Sequence, residues 1–421
     1  MKVILLNTTE LTGGAAIAAN RLMKALIDNG IEAKTLVLSK KTTEENVISI
    51  KSSFIKQRLA QLNFLWERWV IFVNNRFSRK NLFRVSIANT GFNIAKHPLV
   101  KKADIIHIHW INQGLLSLKY IKKLLQSGKP IVWTMHDMWP CTGICHHARE
   151  CNNYQMQCHD CFYLDKPNNH DLSYQIFNKK KKIYQSGKII FITCSRWLKS
   201  RAEKSALLSG QAMFTIPNPI DTSLFFPMDK TFCRKKFNLS NDKKIILFGA
   251  VKISDDRKGI HYLIEAIELL SQKSEANNLE LVIFGKSNMD LSEISTLNVN
   301  YLNFLSNVED IIAMYNTADV YVTPSLEENL PNTIMESLSC GVPCVGFNVG
   351  GIPEMINHKS NGYISEYESA EDLAAGIYWT LFEADYEQLS QNARQKVIEC
   401  YSEKIVAEQY INLYKQLHYN S

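Results

Sequence analysis

Pro324-Ser325-Leu326-Glu327-Glu328-Asn329-Leu330-Pro331-Asn332-Thr333-Ile334-Met335-Glu336-Ser337-Leu338-Ser339-Cys340-Gly341 follows one short apolar run, Val320 to Thr323, and precedes another, Cys344 to Phe347. The pattern predicts strand, loop, helix and strand, one βαβ unit of a parallel sheet. Glu328 falls on the loop and Glu336 within the helix. Two carboxylates eight residues apart are thereby aimed at one pocket beside a helix N-terminus. Such a pocket suits a ligand with hydroxyls at one end and phosphates at the other: carboxylates accept from hydroxyls, while N–H groups and cations hold the anion. Glutamates on an ordinary helix face are the plain alternative, yet neither the Pro324-Ser325 turn nor the Cys340-Gly341-Val342-Pro343 stop requires them.

Outward from this stretch the same alternation of strand and helix continues in both directions. Towards the N-terminus of this half, strands are predicted at Lys244 to Gly249, Glu280 to Phe284 and Asn300 to Phe304; an earlier series runs Lys2 to Leu6, Ala33 to Leu38, Ile105 to His109, Ile131 to Met135 and Ile189 to Cys194. Between the series stands Ile216-Pro217-Asn218-Pro219-Ile220-Asp221, where two prolines remove two backbone donors and exclude a central strand or helix interior. The predicted organisation is a Rossmann-like domain over 1–213 with a Cys-rich loop at 141–161, a linker at 214–222, a second Rossmann-like domain over 223–395, and a final helix at 396–421 packing back toward the first domain.

Composition agrees. A chain of 421 residues suits two domains of about 200 residues each, and 46% hydrophobic residues can fill both cores. The opening MKVILLN is cut short by Thr8, Thr9 and Glu10, so it reads as a buried strand rather than an export signal. Ten cysteines without such a signal point to a reducing, cytoplasmic setting. Charge is split: residues 1–220 carry 32 Lys+Arg against 13 Asp+Glu, and the remainder 16 against 28. The first half is therefore expected to meet something anionic, a membrane surface or lipid phosphate, and not nucleic acid, since no helix-turn-helix, RNP or zinc-finger pattern accompanies the charge. The four lysines Lys179 to Lys182 read as a solvated helix face.

Two further constellations bear on an anion. Asp255-Asp256-Arg257-Lys258-Gly259 sets two adjacent cations before a helix starting near Ile260, suited to clamping a diphosphate in an otherwise acidic half. Gly13-Gly14-Ala15-Ala16 opens a helix directly after the first strand, where small residues let a ligand approach free N–H groups. The G-x-G-x-x-G spacing of a dinucleotide site is absent, which argues against a nicotinamide enzyme.

Taken with Gly350-Gly351-Ile352-Pro353-Glu354, the stretch Ser325 to Gly341 resembles the donor site of retaining glycosyltransferases of the GT-B fold, specifically the GT4 family with its E-x7-E motif. Pro217-Asn218-Pro219-Ile220-Asp221, Arg257-Lys258-Gly259 and Ala318-Asp319-Val320 fall in the order that family shows. The resemblance implies two Rossmann-like doubly wound domains facing across a cleft and a nucleoside-diphosphate sugar as donor, with no metal needed for catalysis. It further implies that Glu336 binds the ribose hydroxyls, Glu328 the transferred sugar, and Arg257 and Lys258 the leaving diphosphate. Asn329, Leu330, Asn332 and Thr333 would line the donor, and Gly13 and Gly14 are further donor-binding candidates. Two departures stand out: Gly249 is followed by Ala250 rather than Arg, and Asn329-Leu330-Pro331 replaces the usual Gly-Phe-Gly, where Pro331 has no N–H to offer.

In the first half, His107-Ile108-His109 and His136-Asp137 end two successive predicted strands, and carboxyl ends of parallel strands are where such sheets bind ligands. His136 matches a position near the transferred sugar in similar enzymes and is the catalytic candidate here; His109 and Asp137 are acceptor-side candidates, and His107 reads as structural. Next comes Cys141-x3-Cys145-x5-Cys151-x6-Cys158-x2-Cys161. Cys145, Cys151, Cys158 and Cys161 are candidate ligands of a structural zinc, against free thiols or disulfides. Finally, Phe54 to Arg84 mixes aromatics with Lys and Arg and holds one acidic residue, Glu67. That mixture suits a helix lying on an anionic membrane, against a core helix. The expected activity is transfer of a hexose-type sugar to a glycan or lipid-linked saccharide. A GT-B-like epimerase or hydrolase of a UDP-sugar, and a non-catalytic binding module, are the rivals.

Overall fold

The computed structural model describes residues 1–286 and 297–419. Its first sheet has seven parallel strands: β1 (Lys2–Leu6), β2 (Glu32–Val37), β3 (Val47–Ser49), β4 (Ile105–Ile108), β5 (Ile131–Met135), β6 (Ile190–Thr193) and β7 (Ala212–Thr215), in the order β3-β2-β1-β4-β5-β6-β7. The second has six: β8 (Lys244–Lys252), β9 (Leu279–Lys286), β10 (Asn298–Leu302), β11 (Val320–Thr323), β12 (Cys344–Phe347) and β13 (Gly362–Ser365), in the order β10-β9-β8-β11-β12-β13. Both are doubly wound, with strand order reversing at β1/β4 and at β8/β11. Central strands such as β4, β5 and β11 are buried at every residue, as parallel strands covered by helices on both faces must be.

The chain forms two compact units. One spans Met1–Pro217 and takes in the chain again from Val406; the other spans Asn218–Ile405. The return segment belongs to the last helix, Glu403–Tyr419, whose Val406, Ala407, Tyr410 and Tyr414 pack in one cluster with Val3, Leu5 and Ile105. Two of its hydroxyls are committed in that core, Tyr410 with Thr134 Oγ1 at 2.9 Å and Tyr414 with His107 Nδ1 at 2.6 Å.

Helix α1 (Gly14–Asp28) starts where Gly13 takes φ 90°, and its alanine and leucine face fills the same core. Helix α2 (Phe54–Asn74) starts at Ser53, whose side chain accepts from Lys56 N–H. The helix Leu172–Tyr184 corrects one expectation. Lys179 and Lys182 are solvated, but Lys180 is fully buried, its ammonium donating to the Trp139 carbonyl at 2.6 Å and the Thr142 carbonyl at 3.0 Å over the Trp139 ring. A helix face that looks uniformly cationic in sequence thus turns one cation inward, where two carbonyls satisfy it.

Candidate functional site

Loops from the carboxyl ends of β8 and β11 meet where the second sheet reverses its order. Gly259 has φ 65°, and a Cβ on it would stand 1.9 Å from the Pro324 carbonyl oxygen, so only glycine lets the Arg257-Lys258-Gly259 turn press against the loop after β11. The Leu326 N–H donates to the Arg257 carbonyl at 2.8 Å and laces the two together. From the other side Gly350, with φ 61°, comes so near that its Cβ would stand 1.8 Å from the Glu328 carbonyl oxygen. Glu328 is therefore held on a loop clasped between two glycine turns.

Around that loop the charges converge. Lys258 Nζ contacts Glu328 Oε1 directly, and the Ser325 hydroxyl reaches the same oxygen at 3.4 Å. Arg257 is gripped by Asp255, with Nε 3.1 Å from Oδ1 and Nη2 2.6 Å from Oδ2. Burial alone would raise the Asp255 carboxyl, but the Arg257 hydrogen bond and charge hold it below the usual range. Glu336, buried in the helix Asn332–Ser339, accepts on Oε2 from the Tyr315 hydroxyl at 2.9 Å. Tyr321 ties the ends together: its hydroxyl donates to the Gly249 carbonyl at 3.2 Å. Burial pushes that hydroxyl up first, and the negative charges of Glu336 and Glu328 both add to the rise. Asn329 and Leu330 are buried beside Glu328; Asn332 accepts from Asn218 Nδ2 at 3.3 Å, and Thr333 is half-buried at the helix start.

The second unit thus brings Arg257, Lys258, Glu328 and Glu336 into one set of laced loops. Cations beside carboxylates at a helix start can hold an anion and two sets of hydroxyls together. Tyr315 and Tyr321 complete the set without having been singled out in the sequence, since a tyrosine in a helix or a strand carries no pattern of its own. Asp319, in the Ala318-Asp319-Val320 segment, has a bracing role instead, accepting from Lys230, Arg234 and the Ile245 N–H, each at 2.7 Å.

In the first unit, Gly13 and Gly14 open α1, and nothing stands within 4 Å of where a Gly13 Cβ would be. His109 follows β4 and His136 follows β5; His109 Nδ1 lies 3.0 Å from His136 Nε2, with the rings stacked at 5.3 Å. Burial lowers both imidazoles, His136 to about 4 although Asp137 opposes it, so both are neutral at neutral pH. His107 is sealed between Tyr414 and Thr134. Asp137 accepts from the Trp139 N–H at 2.8 Å, His146 Nδ1 at 2.7 Å and Trp110 Nε1 at 3.1 Å. Burial would raise its carboxyl, but the His146 charge and hydrogen bond and the Trp139 N–H bring it to about 2. His146 is the residue of the Cys-rich loop that reaches this cluster.

The cysteines themselves pack as core. Cys141, Cys145, Cys158 and Cys161 are buried, Cys151 is half-buried, and all five are free thiols. Burial pushes the Cys145 thiol up to about 11, and those of Cys141, Cys158 and Cys161 higher. Among the described residues, no group of three or more His, Cys, Asp or Glu side chains is arranged to hold a metal ion.

Residues 12–224 match the family described as Glycosyltransferase Family 4, and residues 229–396 match Glycosyl transferases group 1. An uncharacterized glycosyltransferase of Methanocaldococcus jannaschii is 25% identical over 96% of this chain and 95% of its own. A putative colanic acid biosynthesis glycosyl transferase of Escherichia coli is 26% identical over 76% of this chain and 77% of its own. The structure of HepE from Anabaena in complex with UDP-glucose superposes with a TM-score of 0.65 over 99% of this chain and all of its own, at 14% identity, a likeness of fold. Two doubly wound parallel sheets with these relatives make the architecture GT-B, and with half its length matched by one family alone the chain belongs to Glycosyltransferase Family 4.

Proposed function

We propose that the chain transfers a hexose-type sugar, with retention of anomeric configuration, from a nucleoside diphosphate to a glycan or lipid-linked saccharide of a surface polysaccharide. The reading rests above all on the meeting of Lys258 with Glu328 on loops that also carry Arg257 and Glu336. In this reading the Lys258 ammonium lies between the sugar end, held by Glu328, and the diphosphate, held with Arg257 and the N–H groups at the start of the helix Ile260–Ser271. Glu336 accepts from the ribose hydroxyls, its other oxygen already oriented by Tyr315. His136, neutral at neutral pH, stands on the acceptor side without adding a charge, its Nε2 paired with His109 Nδ1 and its Nδ1 3.6 Å from the Cys194 sulfur.

Catalysis then comes from orienting the acceptor hydroxyl and stabilising charge on the departing diphosphate, for which two fixed cations and a helix start suffice. The Escherichia coli relative named for colanic acid biosynthesis and the UDP-glucose bound by the Anabaena protein are what extend the proposal to polysaccharides and sugar nucleotides. Isothermal titration of the full chain with a panel of nucleotide sugars tests it. Binding of at least one donor that is lost in Lys258→Ala and weakened in Glu336→Ala is expected; a chain that binds none of them, or binds equally in both variants, refutes the proposal.

A further inference from the structure

Helix α2 carries its residues the wrong way round for a helix on a water-exposed surface. Its charged pair Glu67 and Arg68 faces inward: Glu67 Oε1 accepts from the Ile87 and Ala88 N–H groups at 2.8 and 2.9 Å, and Arg68 Nη1 donates to the Leu82 and Val85 carbonyls at 2.5 and 3.1 Å. Those bonds, with Ala60 and Ile71 in the core, fix which face looks out. The outward face is a stripe, Ile55, Leu59, Leu62, Trp66 and Trp69, at steps of four and three residues along about 21 Å of helix. These side chains are between 44% and 70% exposed, and the two indoles stack at 4.9 Å. The segment that follows prolongs the patch with Phe77 and Phe83, 69% and 64% exposed. An apolar face of this extent on a soluble surface marks a binding site.

The charges around the stripe select its occupant. Lys56, Arg58, Arg76, Arg79 and Lys80 are all exposed, and the single acidic side chain between Lys51 and Arg84 is the buried Glu67. A second copy of the chain docked helix to helix would set cation against cation, the reverse of the opposite-sign flanks that paired helices use. Tryptophan beside lysine and arginine is instead the composition of a helix lying in a lipid headgroup layer. Among the described residues no helix is long and apolar enough to cross a membrane.

We propose that α2 and the segment through Arg84 form a docking surface for an anionic lipid bilayer, with Ile55, Leu59, Leu62, Trp66 and Trp69 entering the interface and the five cations meeting lipid phosphates. This surface would hold the enzyme where lipid-linked acceptors are, but the docking itself needs neither donor nor acceptor. Co-flotation of the full chain with phosphatidylcholine vesicles, with and without phosphatidylglycerol, measures it, and tryptophan emission follows burial of the indoles. Binding is expected to the anionic vesicles alone, weakening as salt is raised. The pair Trp66→Ser/Trp69→Ser should lower it about tenfold or more. The pair Lys56→Glu/Arg58→Glu should lower it about 30-fold, since each cation near an anionic leaflet contributes a factor of about five. Both pairs replace exposed side chains, so circular dichroism and nucleotide-sugar titration should match the parent, and these also report on the proposed activity separately. The proposal is overturned if the parent does not float with anionic vesicles, if both variants float undiminished, or if the parent is a dimer that the tryptophan variant dissociates without any vesicle binding.

Discussion

The two sheets share one winding and differ in what their carboxyl ends present. At β8/β11 the loops carry ionised side chains held against one another, Lys258 on Glu328 and Arg257 on Asp255. After β4 and β5 the residues that follow the strands include two imidazoles, His109 and His136, which burial keeps neutral, and a carboxylate, Asp137, already spent on three donors. The same scaffold thus presents cation–carboxylate pairs in one unit and, in the other, two neutral imidazoles beside a carboxylate whose donors are already in place. The proposed transfer would draw on both kinds, and the difference says which unit should suffer most when charge is removed.

Lys258→Ala should have the largest effect. Loss of a cation that stabilises a developing charge costs about 3 to 4 kcal/mol, so turnover of donor should fall about 10²- to 10³-fold at saturating acceptor. His136→Ala, which removes no charge, should fall short of that under the same assay. Equal losses would break the contrast between the units.

Gly350→Ala against Gly13→Ala sharpens it through the backbone. Both glycines have positive φ, but an added methyl at Gly350 meets the Glu328 carbonyl at 1.8 Å, while at Gly13 nothing lies within 4 Å. Gly350→Ala should lose about 2 to 3 kcal/mol of stability and most donor binding, because the Glu328 loop must move. Gly13→Ala meets no neighbour and should lose only the backbone cost of its φ 90°, ψ 160° conformation, about 1 to 3 kcal/mol, read from thermal melting.

These contrasts also mark what the sequence disclosed. The runs Lys2 to Leu6, Ile131 to Met135, Val320 to Thr323 and Cys344 to Phe347 are strands at the residues expected, because central parallel strands are apolar throughout. The strands β3, β7 and β13 escaped notice, being three- or four-residue edge strands with exposed or polar positions that look like loop. The strand at Asn298–Leu302 was placed two residues late for the same reason. Around the ends of β8 and β11, Glu328, Glu336, Arg257 and Lys258 were singled out by their spacing around strand ends, whereas their partners Tyr315 and Asp255 depend on which helix packs beside which turn. The inward turn of Lys180 was hidden because a periodic pattern shows two faces without showing which one the core takes.

Acid should find the neutral imidazoles of the first unit. His136 titrates near 4 and His107 near 3 in the folded chain, against about 6.5 when unfolded. A lowered imidazole takes its proton in the unfolded state first, so its neutral burial costs nothing above about pH 6.5 and erodes stability as pH falls toward 4. Melting temperature should therefore drop across that window, and His136→Gln should flatten the drop by about 2 kcal/mol after allowing for solvent at this half-buried ring. An unchanged slope would remove His136 from the neutral pair.

The smallest predicted effect tests the finest distinction, whether Glu336 is merely buried or is held ready. Its Oε2 takes a hydrogen bond from Tyr315, which burial and the carboxylate's own charge keep protonated. Tyr315→Phe removes that one bond while leaving the ring packed between Phe284 and Tyr321. A hydrogen bond to a charged group is worth about 1.5 to 3 kcal/mol in isolation and less where the carboxylate can re-pair with the ligand. If Tyr315 orients Glu336 toward ribose hydroxyls, KM for the donor should rise about fivefold with kcat nearly constant, because the lost contact is equally present in ground and transition states. If Tyr315 only fills space, Phe fills it as well and KM stays where it was; if the phenol supports the reacting end of the donor, kcat falls instead.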